Sequence, residues 1–155
     1  MLQSRDMKVI NRHFHREYEA IDTYEAGIVL VGAEVKSIKQ GNIRLEQAFA
    51  KISEGELYLS NAEIPIYKFA TPHGYDPARR RKLLLHKKEI IKLQTKIQSG
   101  GRLTIIPIAC YTKGRQIKIS LALARAKGEI EKKKIERRED IKREQEREMK
   151  EYVKK

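Results

Sequence analysis

Residues 126–155 cannot contribute to a hydrophobic core, and this limits the rest of the chain more than any other feature. The stretch holds 12 Lys/Arg, 9 Asp/Glu, one Gly, no Pro and few apolar residues. So little apolar surface does not offset the entropy lost on ordering, and the isolated segment is expected to be mobile. It is nevertheless dense in helix formers, with opposite charges four apart at Glu129/Lys133, Glu139/Arg143, Glu146/Lys150 and Glu151/Lys155. Such a tail is ready to become a helix on a polyanionic surface; the plain alternative is a solvated terminus with no role. Any core must come from the residues before it, a length suited to one domain.

The net charge is +13, of which the tail supplies only +3. The other 22 basic and 12 acidic residues give the folded part a basic surface. That favours a phosphate-backbone partner and says nothing about fold. There is no apolar run of transmembrane length and no signal-peptide core, so a membrane partner is not expected. Cys110 is the only cysteine and sits in the apolar run 103–111, where a buried, inert thiol is expected. No Cys/His cluster has zinc-site spacing, so neither metal nor cofactor is expected. A cytoplasmic, monomeric protein fits this usage.

Along the chain, residues 1–10 show no pattern and read as a loose leader. Alternation over 16–21 is weak, but Ile28-Val29-Leu30-Val31 is a β-prone run. Residues 33–40 have helical spacing, with Gly41 as an αL stop. Segments 48–53 and 56–61 flank Glu54-Gly55 as a hairpin. A loop rich in Pro, Gly and Tyr spans 65–77. Residues 82–98, with Leu83, Ile90, Leu93 and Ile97 near helical spacing, read as the main helix, ended by Gly100-Gly101. Strands over 103–111 and 116–123 form the strongest hairpin, where Ile117, Ile119, Leu121 and Leu123 alternate with Lys118, Ser120 and Ala122. Hairpins interrupted by helices predict a mainly β protein: a small antiparallel OB-like barrel of about six strands, with two or three helices and the charged tail. The organisation expected is a leader at 1–10, a domain at 11–125 and a tail at 126–155.

The densest basic cluster is Arg79-Arg80-Arg81-Lys82, followed by Lys87 and Lys88, at the junction of the long loop and the expected helix. Guanidinium groups and helix N-terminal amides there suit phosphate, and phosphate contacts would set the salt dependence of binding. Tyr67, Phe69 and Tyr75 stand upstream as stacking surfaces or as aromatics that pin the loop. A second group is Asn11, Arg12, His13, Phe14, His15 and Arg16, where polar groups suit RNA and Phe14 suits stacking. A ribonuclease using His13 or His15 as base and His86 as acid is the enzymatic alternative, although no spacing supports it. Glu25 and Glu34 read either as site carboxylates or as ion-pair partners. No phosphate-binding glycine loop or nucleophile elbow is present, so no enzyme is expected.

The strings YEAGIVLVGAEVKSIKQG, LYLSNAEIPIY and DPARRRKLLLHKKEI occur in this order. In this they resemble the SmpB family, the SsrA-binding proteins of bacterial trans-translation, from about Asn11 into the tail. The resemblance implies an OB-like barrel and a tail that is disordered when free and helical on the ribosome. It implies binding to the tRNA-like domain of transfer-messenger RNA (tmRNA), promotion of its aminoacylation and its delivery to stalled ribosomes. The body would stand in for a tRNA anticodon arm, with the tail in the empty mRNA channel beyond the small-subunit decoding centre. Asn11, Glu25 and Leu84 match family positions associated with tmRNA binding. In the tail, Lys132, Lys133, Lys134, Ile135, Glu136, Arg137 and Arg138 stand where the family has Gly-Lys-Lys, two residues, then Asp-Lys-Arg. Lys142 and Arg143 continue the expected channel-binding set. Ile135 stands where some relatives carry an aromatic or His. A general ribosomal or tRNA-binding module is the non-rescue alternative.

Overall fold

The computed structural model describes residues 6–66 and 73–154. The elements run β1 (Lys8–Ile10), α1 (Phe14–Glu17), β2 (Tyr18–Ile28), α2 (Gly32–Lys39), β3 (Phe49–Ser53), β4 (Glu56–Ser60), β5 (Arg81–Leu84), α3 (Lys87–Gln98), β6 (Leu103–Lys113), β7 (Gln116–Ala126) and α4 (Glu129–Lys154). Every pairing is antiparallel. The order β6-β3-β4-β5-β2-β7, with β7 returning to β6, closes a six-stranded barrel, and β1 lies outside the ring on β6. Closure removes sheet edges, which an open sheet of this size would have to protect.

Both expected hairpins form. Lys113 pairs with Gln116 across a turn in which Gly114 takes φ 62. Ser53 pairs with Glu56, and Glu54 and Gly55 both have positive φ (52 and 77), which matches the twist of the strands. Alternation then sorts the side chains. Ile119, Leu121 and Leu123 point inward with Leu57, Leu59, Leu83 and Ile105, joined by Ile38 of α2 and Leu93 of α3. Cys110 is buried, and burial pushes its thiol up to about 12, so it is inert near neutral pH. Outward-facing Ala122 and Ala124 are small enough for Phe14 of α1 to pack on them beside Ile106.

Four expectations need correction. Residues 8–10 are not part of a loose leader, because Lys8–Ile10 pairs with β6 from Lys8↔Tyr111 to Ile10↔Ala109. The helix expected over 82–98 begins only at Lys87. Leu83 and Ile90 are seven apart, which fits helical spacing, but in β5 Arg81 and Leu83 are buried while Leu84 is exposed, a period of two. Of the β-prone run at 28–31 only Ile28 lies in a strand, as the last residue of β2, which begins at Tyr18; Val31 is already the N-cap of α2. Finally, Phe14 is buried and cannot stack on RNA. Tyr67 and Phe69 lie outside the described residues.

Candidate nucleic-acid interface

Strand alternation takes the arginine cluster apart. Arg81 turns inward and is almost wholly buried, opposite the equally buried Glu34 of α2. Its Nε donates to Glu34 Oε2 at 2.7 Å, and its other nitrogens donate to the carbonyls of Ala62 (2.8 Å), Arg79 (3.1 Å) and Pro77 (3.0 Å) and to the Tyr75 hydroxyl (3.2 Å). Arg79 donates to both Glu34 oxygens, Nε at 3.2 Å and Nη2 at 2.5 Å, and the Val31 amide donates at 3.0 Å. Removal from water raises the Glu34 carboxyl, but Arg79, the Val31 amide and Arg81 outweigh it and hold it below its ordinary value. This network ties α2, the segment around Pro77 and β5 together. Arg81 is therefore a structural anchor without access to phosphate, and Arg79 is largely committed to the same carboxylate. Tyr75 belongs to it too, donating to the Ile64 carbonyl at 2.7 Å. Arg80 faces outward with no carboxylate partner among the described residues, lying 4.0 Å over the Tyr58 ring. Lys82 pairs with Glu56 at 3.2 Å, and Lys87 and Lys88 are exposed on the first turn of α3.

The N-terminal group is also divided. Asn11 is buried: its Nδ2 donates to the Pro107 carbonyl at 2.9 Å, and its Oδ1 accepts the His13 amide at 3.1 Å. It fixes the start of α1 and thereby the direction of Arg12, which is exposed, and of the half-buried His13 and Arg16. No group of three or more His, Cys, Asp or Glu gathers as a metal site among the described residues.

Glu25 and Leu84, 59 positions apart in sequence, do come together on one outer face. The registers Lys8↔Tyr111, Tyr111↔Lys118, Lys118↔Gly27 and Gly27↔Leu84 form one continuous row across β1, β6, β7, β2 and β5. Leu84 is half exposed there. A Cβ on Gly27 would lie 3.4 Å from the Leu84 Cβ, so the glycine keeps open a groove of about 280 Å³ lined by Leu84, Ile117, Lys118 and Arg115. Beside it the Tyr111 hydroxyl and the Lys113 Nζ donate to Glu25. The Tyr111 bond first, then Lys113, lowers the Glu25 carboxyl. Burial and the Glu25 bond push the Tyr111 hydroxyl up to about 12, so it remains a donor. An apolar wall, a neutralised carboxylate and flanking ammonium groups suit an unpaired base and its phosphates.

Lys8, Tyr111, Lys113 and Lys118 stand outside the basic clusters visible in the sequence. The hairpin turn at Gly114 carries the signal for Tyr111 and Lys118, because it sets them opposite each other and outward. Nothing local marks Lys8, whose strand is only three residues long.

The tail residues Lys132, Lys133, Lys134, Ile135, Glu136, Arg137, Arg138, Lys142 and Arg143 all lie on α4, a single helix. It leaves the body beside α1: the Lys127 amide donates to the Glu17 carbonyl at 2.8 Å, and its Nζ donates to the His15 carbonyl at 2.6 Å. Arg16 approaches Glu136 at 3.7 Å, and Ile135 is half-buried while its neighbours stay exposed. Beyond it the charged face is open to solvent.

Residues 8–151 match the family model of the SmpB protein. An SsrA-binding protein of Persephonella marina is 48% identical over 134 residues, which cover 86% of this chain and 88% of that protein. One of a Sulfurihydrogenibium species is 43% identical over 97% of this chain and 99% of its own length. Among solved structures, a chain from "tmRNA-SmpB: a journey to the center of the bacterial ribosome" superposes with a TM-score of 0.65 at 42% identity, covering 79% of this chain and 85% of that one.

Proposed function

The chain belongs to the SmpB family of SsrA-binding proteins, and from that premise we propose that it binds the tRNA-like domain of tmRNA and brings it to stalled ribosomes for trans-translation. The observation that carries this reading is the face where the Leu84–Gly27 groove meets Lys118, Tyr111 and Glu25. It offers shape, one apolar contact and positive charge. The protein acts by binding and makes or breaks no bond. Promotion of aminoacylation and mimicry of an anticodon arm follow from holding the tRNA-like domain in a fixed orientation.

The tail has a separate task in this reading. The helix of Lys132, Lys133, Lys134, Arg137, Arg138, Lys142 and Arg143 presents cations along a rod, suited to a channel walled by ribosomal RNA. Helix and mobile segment are the two states of one sequence with marginal intrinsic stability, and the channel favours the helix.

The test is competition for the full-length protein between the tRNA-like domain and excess ordinary tRNA at near-physiological salt. Failure of tRNA to displace it supports recognition of shape, whereas equal competition reduces the protein to a general RNA binder. Truncation after Lys127 should leave tmRNA affinity within about twofold and abolish tagging of stalled chains. Equal loss of both would overturn the division of labour.

A further inference from the structure

The tail starts from a seat that the barrel has already fixed. Phe14 packs α1 onto Ala122 and Ala124 of β7, and the Asn11 Nδ2 donates to the Pro107 carbonyl at 2.9 Å. A helix of four residues leaves its last carbonyls without partners inside it. Lys127 takes two of them. Its amide donates to the Glu17 carbonyl at 2.8 Å and its Nζ to the His15 carbonyl at 2.6 Å, and an ammonium there suits the negative end of α1. From this point α4 runs against α1. Lys132, Ile135 and Glu136 are spaced i, i+3, i+4 and share one face of α4. Lys132 and Ile135 are half-buried, and the Glu136 carboxylate lies 3.7 Å from the Arg16 Nε. Every residue from Arg137 to Lys150 is exposed, so the contact with the body ends at Glu136.

We propose that α1 is a dock for the base of the tail, and that Lys127, Ile135 and Glu136 are positioning residues that set the direction in which the charged part of α4 leaves the barrel. The inference rests on the channel role of the tail given above and adds how the tail is aimed. Residues 137–154 form a rod of about 27 Å at roughly 1.5 Å per residue. Swinging from a free joint, that rod would sweep a wide solid angle, and the effective concentration of its tip at one opening would fall. A docked base confines the rod to a narrow cone. The hold is divided among the three residues. Side chains 38% and 50% exposed make Arg16–Glu136 a weak pair, which chiefly sets the rotation of α4 about its axis. Lys127 and Ile135 supply most of the grip, through two hydrogen bonds and one apolar contact.

The experiment uses full-length protein free of RNA, with nitroxides on Lys92→Cys and Met149→Cys; the buried Cys110 stays unlabelled. Electron–electron resonance gives the distance distribution between them, and hydrogen exchange gives the protection of amides 132–139. Wild type should show one narrow distance, with more protection at 132–139 than at 142–150. Glu136→Lys should lower that protection about threefold and broaden the distribution, as loss of a partly exposed ion pair predicts. Arg16→Glu/Glu136→Lys should restore both, whereas Glu148→Lys, the same charge change on the exposed part, should alter neither. Lys127→Met and Ile135→Ser should each broaden the distribution with unchanged far-UV circular dichroism of the barrel. Lys127→Met should also tag stalled chains about fivefold less well while binding the tRNA-like domain within about twofold of wild type. A broad distribution in wild type, a charge swap that restores nothing, or full tagging by Lys127→Met overturns the dock as an aiming device. Absence of tagging by the wild type would instead sink the functional reading, and the exchange and distance data would still report on the dock.

Discussion

Replacing Arg81 by methionine keeps most of the buried volume and removes every donor that the guanidinium supplies. Glu34 would lose the 2.7 Å bond to Oε2, the carbonyls of Ala62 and Pro77 would lose donors at 2.8 and 3.0 Å, and the Tyr75 hydroxyl would lose one at 3.2 Å. Arg79 remains on Glu34, so the carboxylate is not fully orphaned. Breaking a buried ion pair from one side costs about 3–5 kcal/mol, and the retained Arg79 places this case near the lower end. Against a typical total of roughly 5–15 kcal/mol, that is a large share of the stability. Urea unfolding followed by circular dichroism should show the midpoint falling by about 1.5–2.5 M with little change in slope. RNA binding at a temperature where the variant is folded should keep the wild-type salt dependence. A loss below about 1 kcal/mol, or a flattened salt dependence in folded protein, would refute the assignment of Arg81 as an internal anchor.

Glu34 predicts an acid limb. Its carboxyl is held below the ordinary value of 4.5 in the folded protein, so the stability it contributes is complete above that value and is lost as pH falls through the lowered folded value. Glu34→Gln should therefore be less stable than wild type near neutrality, and the gap between their urea midpoints should narrow as the pH falls below 4.5; a gap that stays constant on acidification would exclude the linkage. At the groove, Gly27→Val should fill the space against Leu84, lowering affinity for the tRNA-like domain by about tenfold while changing stability by less than about 1 kcal/mol. Wild-type affinity in that variant would show that the groove takes no base.

The legible parts of this protein were those governed by local rules. Gly114 and the alternation at Ile117, Ile119, Leu121 and Leu123 announce a hairpin because turn chemistry and the two-residue period act over a few neighbours. The same locality made the tail readable, since neither its lack of apolar surface nor its i,i+4 charge pairs depends on the body. Where two periods fit the same residues, local rules were not enough. Leu83 and Ile90 suit a helix by spacing, and only pairing with β2 and β4 makes 81–84 a strand.

The site followed the same division. Asn11, Glu25 and Leu84 stand in recognisable strings, but their physical tasks depend on long-range contacts: Asn11 is buried beneath α1, while Glu25 and Leu84 share a face because β2 pairs with both β5 and β7. The arginine run shows the limit most clearly. In sequence, Arg79, Arg80 and Arg81 form one patch of charge with no visible counter-ion, because Glu34 lies 47 positions before Arg81 and nothing nearby marks it as the partner. Sequence by itself determined the amount of charge, the closing hairpin and the helix-ready tail. Tertiary structure alone decided which arginine is spent inside and which meets solvent, because strand pleating sends neighbours to opposite sides and only barrel closure defines an inside.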